Sequence, residues 1–226
     1  MLITIAEVLS AEQVSHCRAL LAAANWTDGR VSAGYQGRQV KDNSQLSEDS
    51  QAAQDLGDLI LAALERNPLF ISAALPSMVY PPMFNRYSVG QQFGAHVDNA
   101  VRLLPGSGRK IRTDVSATLF LAGPDEYDGG ELLIEDTYGT HSVKLPAGHM
   151  VVYPSTSLHR VEPVRSGTRI AAFFWVQSMV RADARRTLLF DMDSAIQHLR
   201  ATGADADALV RLTGSYHNLL RMWADV

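Results

Sequence analysis

The sequence has almost no cysteine. Cys17 stands alone among 226 residues, so no intrachain disulfide can form, and the chain suits a reducing compartment. Long apolar runs are missing too. No stretch approaches the ~20 apolar residues of a membrane span, and Met1-Leu2-Ile3-Thr4-Ile5 lacks the basic region and apolar core of a secretory leader. There is no dense run of Lys or Arg, and the formal charge is −4, which disfavours nonspecific binding to nucleic-acid phosphates. No internal repeat is found. These absences leave a cytoplasmic globular protein with no membrane or nucleic-acid partner expected. An apolar fraction of 46% with 19% charged residues is enough for one substantial core.

What is present divides into three stretches. Ser10 with Gln13 three residues on is a capping-box pattern, and Val14, Cys17, Leu20 and Leu21 follow at helical spacing. Residues 27–50 are polar, with Gly29, Gly34 and Gly37, and read as a loop or short strands. A second helix is predicted over about 50–66, with Leu56, Leu59, Ile60, Ala63 and Leu64 on one face and Asn67-Pro68 at its end. From about residue 78 short runs rich in β-branched and aromatic residues recur. Gly123-Pro124, Asp128-Gly129-Gly130, Pro146-Ala147-Gly148 and Arg165-Ser166-Gly167 punctuate them. Such spacing predicts an antiparallel sandwich or barrel. After about 180 two helical stripes appear: Leu188, Leu189, Met192, Ile196 and Leu199, then Leu209, Leu212, Tyr216, Leu219 and Trp223. The expected organisation is a helical flank over 1–77 packed on the core, a β domain over 78–178, and a helical hairpin cap over 179–226. Two roles stay open for the hairpin: a cover on the barrel, or a contact between copies in a homo-oligomer.

The chemistry concentrates in the β domain. His96 and Asp98 stand two residues apart, His159 follows some sixty residues later, and Arg169 lies ten beyond that. Side chains two apart on a strand share a face, so His96 and Asp98 are expected to point the same way. Two imidazoles and one carboxylate on one face of a metal leave open positions, the ligand set of non-haem Fe(II) oxygenases. A 2-oxo acid can fill two of those positions and O2 the third. Arg169 offers a planar fork of donors for the distal carboxylate of 2-oxoglutarate, and Tyr87, on the preceding strand, offers a phenolic donor. Asp114, Glu131 and Asp136 are other candidate carboxylates, but none stands two residues from a histidine. His141 and His149 lack a carboxylate at strand spacing and read as structural. The loop Ala100–Thr113, with Arg102, Arg109, Lys110 and Arg112, is a candidate pocket wall that can meet an acidic substrate.

Three ordered runs carry a family resemblance. Phe84-Asn85-Arg86-Tyr87-Ser88-Val89-Gly90 leads to Phe93-Gly94-Ala95-His96-Val97-Asp98-Asn99. Asp114-Val115-Ser116-Ala117-Thr118-Leu119-Phe120-Leu121 precedes Tyr127-Asp128-Gly129-Gly130-Glu131-Leu132. Val151-Val152-Tyr153-Pro154-Ser155 is followed by Leu158-His159-Arg160-Val161 and Gly167-Thr168-Arg169. Together they resemble the prolyl hydroxylase-like catalytic domain, and most closely the bacterial PKHD-type hydroxylases. The resemblance implies a mainly β fold with flanking helices around a double-stranded β-helix, or jelly-roll, core. It implies iron at His96, Asp98 and His159, 2-oxoglutarate at Arg169, and L-ascorbate as a reductant. It also implies hydroxylation of a small-molecule or peptide substrate and a link to iron uptake. One departure is visible: related animal enzymes carry a tyrosine on the middle strand where this chain has Thr118-Leu119-Phe120, so Arg169 carries more of the carboxylate contact or Thr118 assists. Two rival classes remain at this point. A cupin-like metal enzyme needs no Arg169-type anchor, and an iron- or metabolite-binding sensor keeps the pocket without turnover.

Overall fold

The computed structural model describes residues 1–226. Two antiparallel sheets face each other. The larger runs in the order Ile3–Ile5, Met150–Pro154, Val115–Phe120, Arg169–Ser178, Met83–Tyr87, Ser44–Leu46 and Trp26–Asp28, and Pro76–Val79 also pairs with Arg169–Ser178. The smaller runs Gly139–Val143, Leu132–Asp136, His159–Val161, Gln92–His96 and Lys41–Asp42. Neighbours in space are far apart in sequence, which gives the jelly-roll that the family resemblance implies and one form of the sandwich that the strand spacing predicts.

The central strands of the larger sheet are covered on both sides. Their alternation sorts residues by destination. Val115, Ala117 and Leu119, with Met150, Val152, Ala172, Phe174 and Val176, join a cluster with Leu21 and Leu56, Ile60, Leu64 and Phe70 of the N-terminal helices. Tyr87, Phe120, Val151 and Tyr153 turn the other way and pack on Leu132, Ile134, Val143 and Val161 of the smaller sheet. Each fully buried side chain of this size stabilises the fold by roughly 1.5–3 kcal/mol. Between the sheets the packing gives way to a polar pocket.

The N-terminal helix spans Ala11–Ala23 and has the predicted capping box, with Ser10 and Gln13 each bonding the other's backbone. The next spans Gln51–Leu64. Asn67-Pro68 ends it but also starts another helix, Pro68–Ala74: Asn67 Oδ1 accepts from the Phe70 N–H at 2.9 Å, and the proline sits in the first turn, where no N–H is needed. The glycine-rich stretch holds a short helix, Tyr35–Val40, besides its strands. It buries none of its own residues and leans on the strand Gln92–His96, where a Cβ at Gly94 would come within 2.8 Å of Val40 Cβ.

Residues 159–167 form two strands. His159–Val161 belongs to the smaller sheet, whereas Val164–Gly167 pairs with Tyr127–Gly129. Pro163 lies at the break and has no N–H for a ladder. Gly129 is obligatory here. Its φ is +72°, and a Cβ would meet Pro163 O at 2.1 Å.

The C-terminal helices span Asp183–Ala201 and Ala206–Trp223. The first buries Leu189 and Ile196, but Leu188 is exposed. No residue of the second is fully buried; Tyr216, Leu219, Leu220 and Trp223 pack from one side on Leu75, Val180 and Leu189. No helix is long and apolar enough to cross a membrane.

Candidate functional site

His96 closes the strand Gln92–His96, and His159 opens the strand beside it. The two are direct cross-strand partners, with ring centroids 4.2 Å apart. Each ring is set from behind. His96 Nδ1 lies 2.8 Å from Gly94 O and His159 Nδ1 lies 3.0 Å from Ser157 O, which assigns the proton to Nδ1 and leaves both Nε2 lone pairs facing the pocket. Phe93 stacks on His96 at 3.6 Å and Tyr153 meets His159 edge-on at 5.2 Å. Burial, followed by the neighbouring His159, pushes the His96 pKa down to about 4. The neutral form, the one that ligates metals, therefore prevails at neutral pH.

The strand stops at His96, yet Asp98 shares the face of His96 as the two-residue spacing predicts, with Val97 turned to solvent. Ser116 then holds the carboxylate. Its Oγ donates to Asp98 Oδ2 at 2.6 Å and lies 2.7 Å from Ser155 Oγ. His159 Nε2 is 3.8 Å from Asp98 Oδ2, and the donor atoms of His96, Asp98 and His159 all lie within 4.8 Å of one another. Two imidazoles and one carboxylate, with a serine orienting the carboxylate, fit an Fe(II) ion with open positions. The other candidate carboxylates are engaged elsewhere. Asp114 binds Arg112 at 2.7 Å, Asp136 binds the exposed His141 at 2.6 Å, and Glu131 lies 3.9 Å from Lys144.

Arg169 and Tyr87 are register partners on adjacent strands and line the same pocket as the three donors. Arg169 is 1% exposed, and its Nε and Nη1 have no hydrogen-bond partner. Its guanidinium lies 5.3 Å from the Tyr87 ring centroid and 5.2 Å from that of Phe120. A buried cation with idle donors is costly, and a dicarboxylate entering the pocket would satisfy it. Gly167 sets its entry: φ is +73°, and a Cβ would meet Glu126 O at 2.1 Å. Thr118 and Tyr153 also line the pocket. Burial raises the Tyr153 pKa well above its ordinary value, so the phenol stays neutral and able to donate.

Lys41, Ser116, Asn85 and Tyr153 were not singled out by spacing. Asn85, Ser116 and Tyr153 lay in the runs that carry the family resemblance, and Lys41 is legible only as one of three basic residues in a polar stretch. Lys41 is buried against Phe93 and Phe173, and burial, followed by Arg102, pushes its pKa down to about 8. Of the four basic residues in the candidate wall, Arg102 alone lines the pocket. Arg112 is drawn away to Asp114 and Ser178 O, and Arg109 and Lys110 are exposed.

Fold and pocket together define an oxygenase core. Residues 82–177 match the 2OG-Fe(II) oxygenase superfamily, and residues 183–225 match the PKHD-type hydroxylase C-terminal domain. A PKHD-type hydroxylase of Burkholderia ambifaria is 65% identical over the full length of both chains, and one of Paraburkholderia phymatum is 61% identical, also over both full lengths. The chain therefore belongs to the PKHD-type hydroxylase family. This membership decides against the cupin and sensor readings. Solved structures agree on the fold. A Pseudomonas putida prolyl-4-hydroxylase is 21% identical with a TM-score of 0.54, covering 78% of this chain and 92% of that one. A Trichoplax adhaerens prolyl hydroxylase, solved with a hypoxia inducible factor peptide, is 13% identical with a TM-score of 0.54, covering 83% of this chain and 86% of that one.

Proposed function

We propose that this chain hydroxylates a C–H bond of a small-molecule or peptide substrate, with Fe(II) held by His96, Asp98 and His159 and 2-oxoglutarate anchored by Arg169. The observation that carries the reading is Arg169: a buried guanidinium with two idle donors, in the pocket where the three metal-ligand atoms converge. With iron, 2-oxoglutarate and O2 bound, the chemistry supplied is oxidative decarboxylation to succinate and CO2 coupled to oxygen insertion into a C–H bond.

The chain's own residues prepare that chemistry. His96 and His159 present Nε2, and their Nδ1 contacts fix the ring planes. Ser116 donates to Asp98 Oδ2 and so fixes the carboxylate in the pocket. Arg169 takes the distal carboxylate, with Tyr87 or Thr118 able to add a donor. Phe120, Tyr87 and Tyr153 keep water from that end, which strengthens the Arg–carboxylate pair. L-ascorbate as a reductant and a link to iron uptake belong to the same proposal, supported by the family resemblance, and a cytoplasmic setting is supported by the single Cys17. The division into a flank at 1–77, a catalytic core at 78–178 and a hairpin cap at 179–226 belongs to it too, with the hairpin also available as a contact between copies.

Anaerobic calorimetry tests the core of the proposal. Fe(II) is expected to bind one per chain, and 2-oxoglutarate to bind well only after it. Succinate release then follows on admission of O2. Equal 2-oxoglutarate affinity with and without metal, or wild-type iron affinity in Asp98→Ala and His159→Ala, would overturn it.

A further inference from the structure

A second cationic locus lies in the same pocket, away from Arg169. Lys41 is 4% exposed, on the short edge strand of the smaller sheet, next to Phe93. Its Nζ donates to Ser32 Oγ and Gln45 Oε1, both at 2.9 Å, which leaves one of three donors free. It lies 5.4 Å from the Phe93 ring and 5.6 Å from the Phe173 ring. Arg102 lies 4.2 Å from the Trp175 ring and 4.9 Å from that of Tyr80. Its Nε is buried without a partner, and its only side-chain contact of hydrogen-bond type is Met83 Sδ at 3.9 Å. Neither cation is in an ion pair, whereas Arg18, Arg112, Arg160 and Arg165 are. Phe173 and Trp175 meet edge to face at 5.6 Å, so Lys41, Phe173, Trp175 and Arg102 make one continuous wall.

The strand Arg169–Ser178 sets the separation. Its inward residues rise about 3.3 Å per position, which puts Phe173 about 13 Å and Trp175 about 20 Å from Arg169 along the strand. One 2-oxoglutarate, a five-carbon diacid, cannot engage Arg169 and also reach this wall. The cations also lie beside the metal ligands: Phe93, under Lys41, is the ring stacked on His96.

We propose that the substrate is acidic, and that Lys41 and Arg102 bind its carboxylate or phosphate group beside the metal site. The proposal rests on the oxygenase reading for the position of the reacting carbon. The pairing is a point charge and a planar fork, set over aromatic faces that exclude water. An anion there completes the idle Arg102 Nε–H and the third Lys41 N–H.

The test uses the full chain loaded with Zn(II) and 2-oxoglutarate, whose binding is measured first by calorimetry. If 2-oxoglutarate does not bind, the oxygenase reading fails on its own. Three matched sets of N-acetyl dipeptides are then compared by ligand-observed NMR: free C-terminal carboxylates, phosphoserine peptides with a C-terminal amide, and neutral amides. At least one anionic set is expected to bind at least tenfold more tightly than its neutral counterpart, and the stronger set identifies the anion. Lys41→Met and Arg102→Met should each remove about tenfold of that preference, and Lys41→Arg should keep most of it. Melting temperature and 2-oxoglutarate affinity of the same variants show that they fold and that the Arg169 end is intact. The proposal is overturned if charged and neutral peptides are indistinguishable, or if the variants keep the wild-type preference. It is also overturned if they weaken 2-oxoglutarate instead.

Discussion

The two faces of the larger sheet differ sharply although the same strands build them. Toward the helices, Val115, Ala117, Leu119, Ala172, Phe174 and Val176 form a wholly apolar layer. Toward the pocket, the intervening positions are Ser116, Thr118, Arg169, Phe173 and Trp175. Alternation lets one strand hold the fold together with every second residue and present chemistry with the residues between. The polar face departs from what stability alone would choose. It keeps a buried arginine with idle donors and a serine bridging to a carboxylate, groups that the proposed 2-oxoglutarate and iron would complete. The packing is concentrated on the helix-facing side.

Substitutions on the two faces should separate these roles. The largest effect is expected from Phe174→Ala, a truncation in the helix-facing layer. It should cost about 3–5 kcal/mol in chemical denaturation while the folded fraction keeps wild-type iron affinity. Asp98→Ala should do the reverse, with iron affinity falling by roughly two orders of magnitude, or ~2.7 kcal/mol, and little change in melting temperature. A large loss of stability in this variant would erase the contrast between the faces.

Arg169→Met sharpens it further. Removing a buried cation with two unpaired donors should stabilise the ligand-free protein by about 1–3 kcal/mol while 2-oxoglutarate binding is lost. A lower melting temperature in the absence of ligand would show that Arg169 is satisfied within the chain. Ser116→Ala leaves all three metal-ligand side chains in place but frees the Asp98 carboxylate to rotate. Iron affinity should weaken by about tenfold, measured by competition with a chelator.

The smallest effect is expected at the hairpin. Leu212 is 38% exposed, whereas Leu219 is half-buried against the cluster around Leu189. Leu212→Asp should change stability by less than ~0.5 kcal/mol, and Leu219→Asp by more. A shift in mass on size-exclusion chromatography with Leu212→Asp alone would show that the outer face of this helix is covered by another copy.

Much of this was legible locally. The capping box at Ser10, the shared face of His96 and Asp98, and the turn at Asp128-Gly129-Gly130 depend on residues close in sequence, so spacing exposes them. The His96–Asp98–His159–Arg169 set was recognisable because its members have residue types that few other roles explain together. The helix Tyr35–Val40 was not, since it has no apolar stripe of its own and rests on a strand more than fifty residues on. Asn67-Pro68 was read only as an end because a proline that stops one helix also suits the first turn of the next.

The sequence by itself thus determined that short antiparallel strands follow residue 78, that helices flank them, and which side chains had the chemistry for a metal and a dicarboxylate. Tertiary structure alone decided that Ser116 orients Asp98, that Lys41 and Arg102 share a wall with Phe173 and Trp175, and that the last helix keeps one side open. Each of these is a contact between segments distant in the chain. No local periodicity encodes it, because it exists only once the two sheets have closed on each other.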